Sequence, residues 1–135
     1  MIDCRLSISS RGDGWTSDNV LRASMEISDN FATVAYKLEG DDCLLTLSPE
    51  RAEQVRRGGA DIKLSFVPNA KTVCVIGDEA LRGGYEIFCT RLSVLINRRG
   101  VAAEIEYLSG GDGEKINVKI RAVALSGSGG APASK

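Results

Sequence analysis

Apolar and polar residues alternate in five parts of this chain, so that every second side chain is apolar. The alternation covers residues 2–9, 21–28, 61–66, 101–107 and 115–122. A period of two places successive side chains on opposite faces of a β-strand. Each part therefore predicts a strand with one buried and one solvated face, which is the arrangement of an antiparallel sheet.

Glycine-rich turns separate these strands, and the intervening segments of about 6–12 residues are rich in Val, Ile, Leu and Thr. The run Gly110-Gly111-Asp112-Gly113 joins the last two alternating segments and predicts a hairpin. Short strands with regular turns are typical of antiparallel sandwiches and barrels. We therefore expect an all-β protein.

Three further segments carry apolar residues on both parities, at residues 31–38, 73–76 and 85–96. In the last of them, Phe88 and Leu92 share one parity, whereas Ile87 and Leu95 share the other. The outer face of a closed barrel is expected to be solvated. We therefore expect a loop, a helix or a partner chain to cover these strands from outside.

Residues 48–58 allow two interpretations. Ser48 is a suitable N-cap and Pro49 a suitable first helical residue, which favours a short helix. A helix here could bury only Ala52 and Val55. The alternative is a turn at Pro49 followed by an exposed edge strand, whose arginines would protect that edge from pairing with other chains.

The length of 135 residues corresponds to one domain. Residues 126–135 contain no large apolar side chain, so burial cannot offset the entropy that their ordering would cost. We expect a folded β-barrel domain over residues 1–125 and a disordered tail of Gly, Ser and Ala over residues 126–135.

Charge and composition exclude several functions. Lys plus Arg number 17 and Asp plus Glu number 18, so the basic excess that is typical of nucleic-acid binding is absent. The chain contains no histidine, which excludes histidine-based triads and metal sites. The N-terminus lacks the apolar stretch of a signal peptide. We expect a cytoplasmic protein that binds neither membrane nor nucleic acid.

Four cysteines are present, at positions 4, 43, 74 and 89, and no two of them have C-x-x-C spacing. Because cytosolic thiols stay reduced, we expect four small buried side chains rather than disulfides. The spacing supports no metal site, and nothing in the sequence calls for a cofactor.

The order of features from residue 36 onward resembles the YwiB-like proteins, a bacterial family without an established activity. The resembling stretches are residues 36–40, 56–59, 64–66, 71–73, 84–87 with Thr90, and 104–107. The resemblance implies a calycin-like, or lipocalin-like, antiparallel barrel of eight to ten strands, closed or nearly closed. It also implies that residues 52–57 form a strand. The chain departs from the pattern at residues 73–76 and Phe88, which are more apolar.

Our leading functional hypothesis is a non-enzymatic barrel that binds a small, partly apolar ligand. Barrels of about eight strands can hold one small molecule, and barrel mouths are common ligand sites. The expected lining is Tyr85, Ile87 and Tyr107, with Arg57 as an anchor for an anionic group. A cavity of about 300 Å³ or more would favour this hypothesis.

The alternative is a structural or interaction module with a filled barrel. Its apolar outer strip, formed by Val73, Val75 and Phe88, would make a homodimer or a complex with another protein. A dimer contact above roughly 1,000 Å² would favour this alternative.

An acid–base enzyme is the third hypothesis. Glu104 and Glu106 lie two residues apart on one predicted strand, so both carboxylates face the same way. Paired carboxylates can cleave glycosidic bonds. The plainer interpretation is a solvated sheet face on which they pair with Lys119 and Arg121 of the neighbouring strand. We assign no catalytic residue.

Two arginine pairs, Arg56-Arg57 and Arg98-Arg99, each adjoin a glycine. A guanidinium can hold a phosphate or carboxylate through two parallel hydrogen bonds. The alternative is a solubilising loop charge. An anion site gains support if both pairs meet at one mouth of the barrel.

Overall fold

The computed structural model of the protein describes residues 1–59, 61–77, 82–110 and 113–125. These residues form ten strands and no helix. The strands are β1 (Ile2–Gly12), β2 (Trp15–Ile27), β3 (Ala32–Leu38), β4 (Asp41–Ser48), β5 (Arg51–Arg57), β6 (Ile62–Phe66), β7 (Ala70–Gly77), β8 (Arg82–Asn97), β9 (Gly100–Ser109) and β10 (Glu114–Ala124). The described residues contain no helix that is long and apolar enough to cross a membrane.

The ten strands form a closed antiparallel barrel. Each strand pairs with the next, and β10 returns to pair with β1, so that Cys4 lies opposite Ala124. The predicted all-β barrel is therefore confirmed, as is the hairpin between β9 and β10. Residues 111 and 112 of its turn, and the predicted tail at residues 126–135, lie outside the described residues.

The alternating side chains of the predicted strands separate as expected into an inner and an outer set. The inner set forms one core, in which Leu6, Met25 and Leu47 are fully buried. All four cysteines also belong to the buried set and are free thiols, which confirms that prediction. Burial raises the pKa of each thiol, because the thiolate would have to exist away from water.

Residues 51–57 form a strand, as the family resemblance implies, and the local helix signals are overridden. Strand β5 pairs with β4 on one side and with β6 on the other, so it is not the exposed edge considered from the sequence. The Ser48 hydroxyl accepts from the backbone N–H of Arg51 at 3.1 Å, which stabilises the turn into β5. Ala52 then points into the core.

The mixed parity of residues 85–96 has a simple structural cause. Strand β8 has a register irregularity between Cys89 and Arg91, which places one extra residue, Thr90, in the strand. A bulge of this kind reverses which parity points inward. Cys89 faces the core before the bulge and Leu92, opposite Ile105, faces it afterwards.

We expected a loop, a helix or a partner chain to cover the strands that have apolar residues on both faces. The described residues of this chain provide no such cover. Val73 on β7 is 56% exposed and Leu95 on β8 is 71% exposed. On β3 no cover is needed, since Val34 and Tyr36 face the core.

Strands β2 and β3 pair over a short length. Residues 24–27 of β2 lie opposite residues 32–35 of β3, whereas β1 and β2 pair along residues 2–12 and 15–25. The hairpin of β1 and β2 therefore extends beyond its paired region with β3. This leaves an unpaired seam between residues 15–23 of β2 and the end of β3.

Candidate functional site

The interior of the barrel holds a cavity of about 210 Å³ that is partly open to solvent. Its wall is mostly apolar and is contributed by strands from around the barrel. The lining residues are Ile8, Ser10, Asn19, Leu21, Tyr36, Leu38, Leu45, Leu47, Ala52, Glu53, Gln54, Leu64, Phe66, Ile105, Tyr107, Val118 and Ile120. All of them except Glu53 face inward, because the strand period of two places them on the core side of the sheet.

Five uncharged polar side chains interrupt the apolar wall: Ser10, Asn19, Tyr36, Gln54 and Tyr107. The Gln54 amide donates to the Tyr36 hydroxyl at 2.7 Å, which orients both groups across the interior. Burial raises the pKa of Tyr36 to about 12 and that of Tyr107 to about 12. Both phenols are therefore neutral at pH 7 and can donate a hydrogen bond to a guest molecule.

Aromatic packing supports one wall of the cavity. The rings of Phe66 on β6 and Tyr107 on β9 have centroids 5.0 Å apart and planes inclined by 49°. Tilted pairs at this distance are favourable because the edge of one ring meets the face of the other. The pair holds the Tyr107 ring in place beside the cavity.

The unpaired seam between β2 and β3 adjoins the cavity. Asn19 and Leu21 line the cavity from the β2 side of the seam, and Tyr36 and Leu38 line it from the β3 side. Asn19, Leu21 and Leu38 are only partly buried. Along the seam no strand pairing joins β2 to β3.

The four residues predicted from the sequence do not all line the cavity, although Tyr85 and Tyr107 lie close enough to interact electrostatically. Tyr107 lines the cavity. Ile87 is buried in the core, but neither it nor Tyr85, which is 37% exposed, is among the lining residues. Arg57 is exposed at the end of β5 and does not reach the cavity.

Arg56, next to Arg57, points inward. With Asp41 it joins two turns of the barrel. Its Nε donates to the carboxylate of Asp41 at 2.7 Å, and the backbone N–H of Gly59 donates to the same carboxylate at 2.8 Å. Asp41 is buried, and its hydrogen bonds link the β3–β4 turn to the β5–β6 turn. The sequence analysis did not identify this role of Asp41.

Glu104 and Glu106 lie on the outer face of β9, away from the cavity, and each makes ion pairs. Glu104 contacts Arg91 at 3.0 Å and Lys119 at 3.9 Å, and Glu106 contacts Lys115 at 4.0 Å. The expected pairing with Lys119 is confirmed. The ion pairs of the described residues do not include the expected pairing with Arg121, and Arg91 and Lys115 contact the two carboxylates instead. These contacts are ordinary cross-strand ion pairs on a solvated sheet face, which is the plainer interpretation of the two carboxylates.

The two arginine pairs lie at opposite ends of the barrel. In an antiparallel meander successive turns alternate between the two ends. Arg56 and Arg57 precede the β5–β6 turn, and Arg98 and Arg99 form the β8–β9 turn. These turns are separated by an odd number of strands, so the pairs cannot meet at one mouth.

The polar lining residues other than Tyr107 were missed in the sequence. Ser10 continues the inward parity of Ile8, and Asn19 precedes Leu21 on the inward parity of β2. A polar residue on the buried parity of a strand was the available signal. Among the described residues, no group of three or more acidic or cysteine side chains is placed to hold a metal ion.

Comparisons with known proteins give one informative match. No family model matches the chain, and no curated protein matches its sequence. The crystal structure of the ywiB protein from Bacillus subtilis superposes with a TM-score of 0.73 over 93% of this chain and 92% of that one, at 14% sequence identity. At this identity the likeness concerns the fold alone. The chain therefore has the same closed-barrel fold as the ywiB protein from Bacillus subtilis.

Proposed function

We propose that the protein binds one small, neutral, partly apolar molecule inside the barrel. The observation that carries this proposal is the cavity of about 210 Å³, whose apolar wall holds five uncharged polar side chains. Binding sites for small molecules are typically of this kind, with an apolar surface for affinity and a few polar groups for orientation.

The volume restricts the size of the ligand. The cavity is smaller than the volume of about 300 Å³ that we expected for a ligand site, at which sites for drug-sized molecules start. An apolar cavity of about 150 Å³ is sufficient for benzene. We therefore expect a compact guest, with about one ring or a short branched chain.

The polar groups favour a neutral ligand over an anion. The one acidic lining residue, Glu53, contacts Arg51 at 3.1 Å and Lys63 at 3.9 Å. No lysine or arginine lines the cavity within the described residues. A buried carboxylate or phosphate without a cation would be strongly destabilised. A hydroxyl or carbonyl group could instead bond to Tyr36 or Tyr107, so an aromatic alcohol has suitable chemistry.

Native mass spectrometry of the protein purified from cells, followed by titration with p-cresol, tests the proposal. Ala52→Leu places three additional carbons in the cavity wall, where Ala52 is 1% exposed. Ala102→Leu makes the same change on the exposed outer face and serves as the control. We expect a retained mass or p-cresol binding in the wild type and the control, and loss of both in Ala52→Leu. Binding that survives Ala52→Leu, or no binding by any variant, would contradict the proposal.

A homodimer is the second candidate, and the exposure of Val73 favours it. Val73 is 56% exposed on the outer face of β7, and Phe88 on β8 is its diagonal neighbour there. Sedimentation of the wild type and of Val73→Lys tests this candidate. A dimer that dissociates in the variant supports it, and a monomeric wild type excludes it.

A further inference from the structure

Five arginines surround an apolar centre on the outside of the barrel, near the β8–β9 turn. Strand register places two rows of outward residues here. One row is Leu95, Ala102, Arg121, Ser7 and Val20, and the next is Asn97, Gly100, Val123, Arg5 and Arg22. Arg98 and Arg99 in the turn complete the group. We call this surface the basic face, defined by Arg5, Arg22, Arg98, Arg99 and Arg121 around Leu95 and Val123.

No ion pair among the described residues neutralises the positive charges of the basic face. Asp3, two residues before Arg5, is the nearest acid along β1 and is not paired with it. The adjoining row on the same sheet differs, since Glu104 there contacts both Arg91 and Lys119.

Two of the arginines lie in an unfavourable position for the isolated protein. Arg5 and Arg22 are direct partners in the pairing of β1 with β2. Like charges directly opposite each other destabilise a sheet. The whole chain has a net charge of −1, so acidic residues are abundant elsewhere and are absent from these two rows. The arrangement is suited to an anion supplied from outside.

The centre of the basic face is apolar and slightly concave. Leu95 is 71% exposed and Val123 is 38% exposed. Gly100 lies between them, and with Arg98 and Arg121 they line one shallow depression. Exposed apolar residues with a charged rim are typical of protein-binding surfaces, in which arginine is enriched.

We propose that the basic face binds an acidic segment of a partner protein, with an apolar side chain of that segment against Leu95 and Val123. Arginine forks suit carboxylates, which they bind through two hydrogen bonds. A second copy using the same face would bring five arginines against five. A single-stranded nucleic acid would need exposed aromatic rings for stacking, and neither row of the basic face has one.

The test uses fluorescence anisotropy with a labelled peptide in which glutamates alternate with leucines. The double variant Arg5→Gln/Arg22→Gln removes two charges from the basic face. The double variant Lys63→Gln/Lys71→Gln removes two exposed charges from β6 and β7 and is the matched control. Leu95→Ser removes the apolar centre. Parallel titrations use a single-stranded oligonucleotide and phosphatidylserine vesicles.

We expect peptide binding that weakens about tenfold in the arginine variant. We also expect it to weaken in Leu95→Ser, to be unchanged in the lysine control, and to decline as salt increases. The proposal is overturned if the peptide does not bind, if the arginine and lysine variants lose affinity equally, or if the oligonucleotide or the vesicles bind more tightly than the peptide. The cavity takes no part in this test, so its outcome is independent of the proposed ligand.

Discussion

Two neighbouring leucines of β4 provide a direct test of the barrel geometry. Leu45 is 3% exposed and lines the cavity, whereas Leu44, the preceding residue, is 43% exposed on the outer face. The same substitution, leucine to alanine, can be made at both positions. The two leucines are consecutive residues of the same strand. A difference in stability between the two variants therefore reports which way each side chain points.

The expected losses follow from burial. Leucine to alanine removes three carbons, which is worth about 2.4 kcal/mol when the side chain is fully buried. At Leu45 the enlarged cavity adds to this, for a total of about 3–4 kcal/mol. At Leu44 roughly half of the side chain is already exposed, so we expect a loss of about 1 kcal/mol.

Urea unfolding followed by circular dichroism measures both losses. With a slope of about 2 kcal/mol per molar urea, Leu45→Ala should lower the midpoint by about 1.5–2 M and Leu44→Ala by about 0.5 M. An unchanged slope in both variants is required for this comparison. Equal midpoints for the two variants would refute the assignment of the inner and outer faces of β4.

Three further predictions concern titration, thiol chemistry and close packing. Burial raises the pKa of Tyr36 to about 12 and of Tyr107 to about 12, above an unfolded value of about 10. Their contribution to stability is therefore complete below pH of about 10 and is lost as the pH rises towards about 12, which urea midpoints across that range will show. A thiol reagent should label none of the four buried cysteines in the native protein and all four in urea, and rapid native labelling would contradict their burial. Gly100→Ala should lower the melting temperature, because a Cβ at this position would collide with the carbonyl oxygen of Ala122, and an unchanged melting temperature would show that the strands separate easily.

The barrel was predictable because alternation reports burial directly. Where one face of a strand is buried, a shift of one residue would expose the whole core, so the pattern and the register agree. The pattern fails at Thr90, because one inserted residue reverses the parity of β8 and makes Phe88 and Leu92 look alike in the sequence. The helix signals at Ser48 and Pro49 fail for a different reason, since pairing on both sides of β5 outweighs local preference.

The candidate site was predictable only in part. Tyr107 was identified because it is a large amphipathic residue on a buried parity. Arg57 was chosen as an anchor because it adjoins a glycine, but Arg56 is the one on the inward parity. Asn19 was missed because one polar residue on the buried parity of β2 does not show how far β2 extends beyond its pairing with β3.

Closure of the barrel between β1 and β10 has a consequence for biosynthesis. The ribosome releases the partner of Cys4, Ala124, about 120 residues later than Cys4 itself. Until then one side of β1 has no neighbour, and its backbone groups are open to pairing with other chains. Because contacts between remote positions slow folding, this edge of β1 stays open until β10 pairs with both β9 and β1.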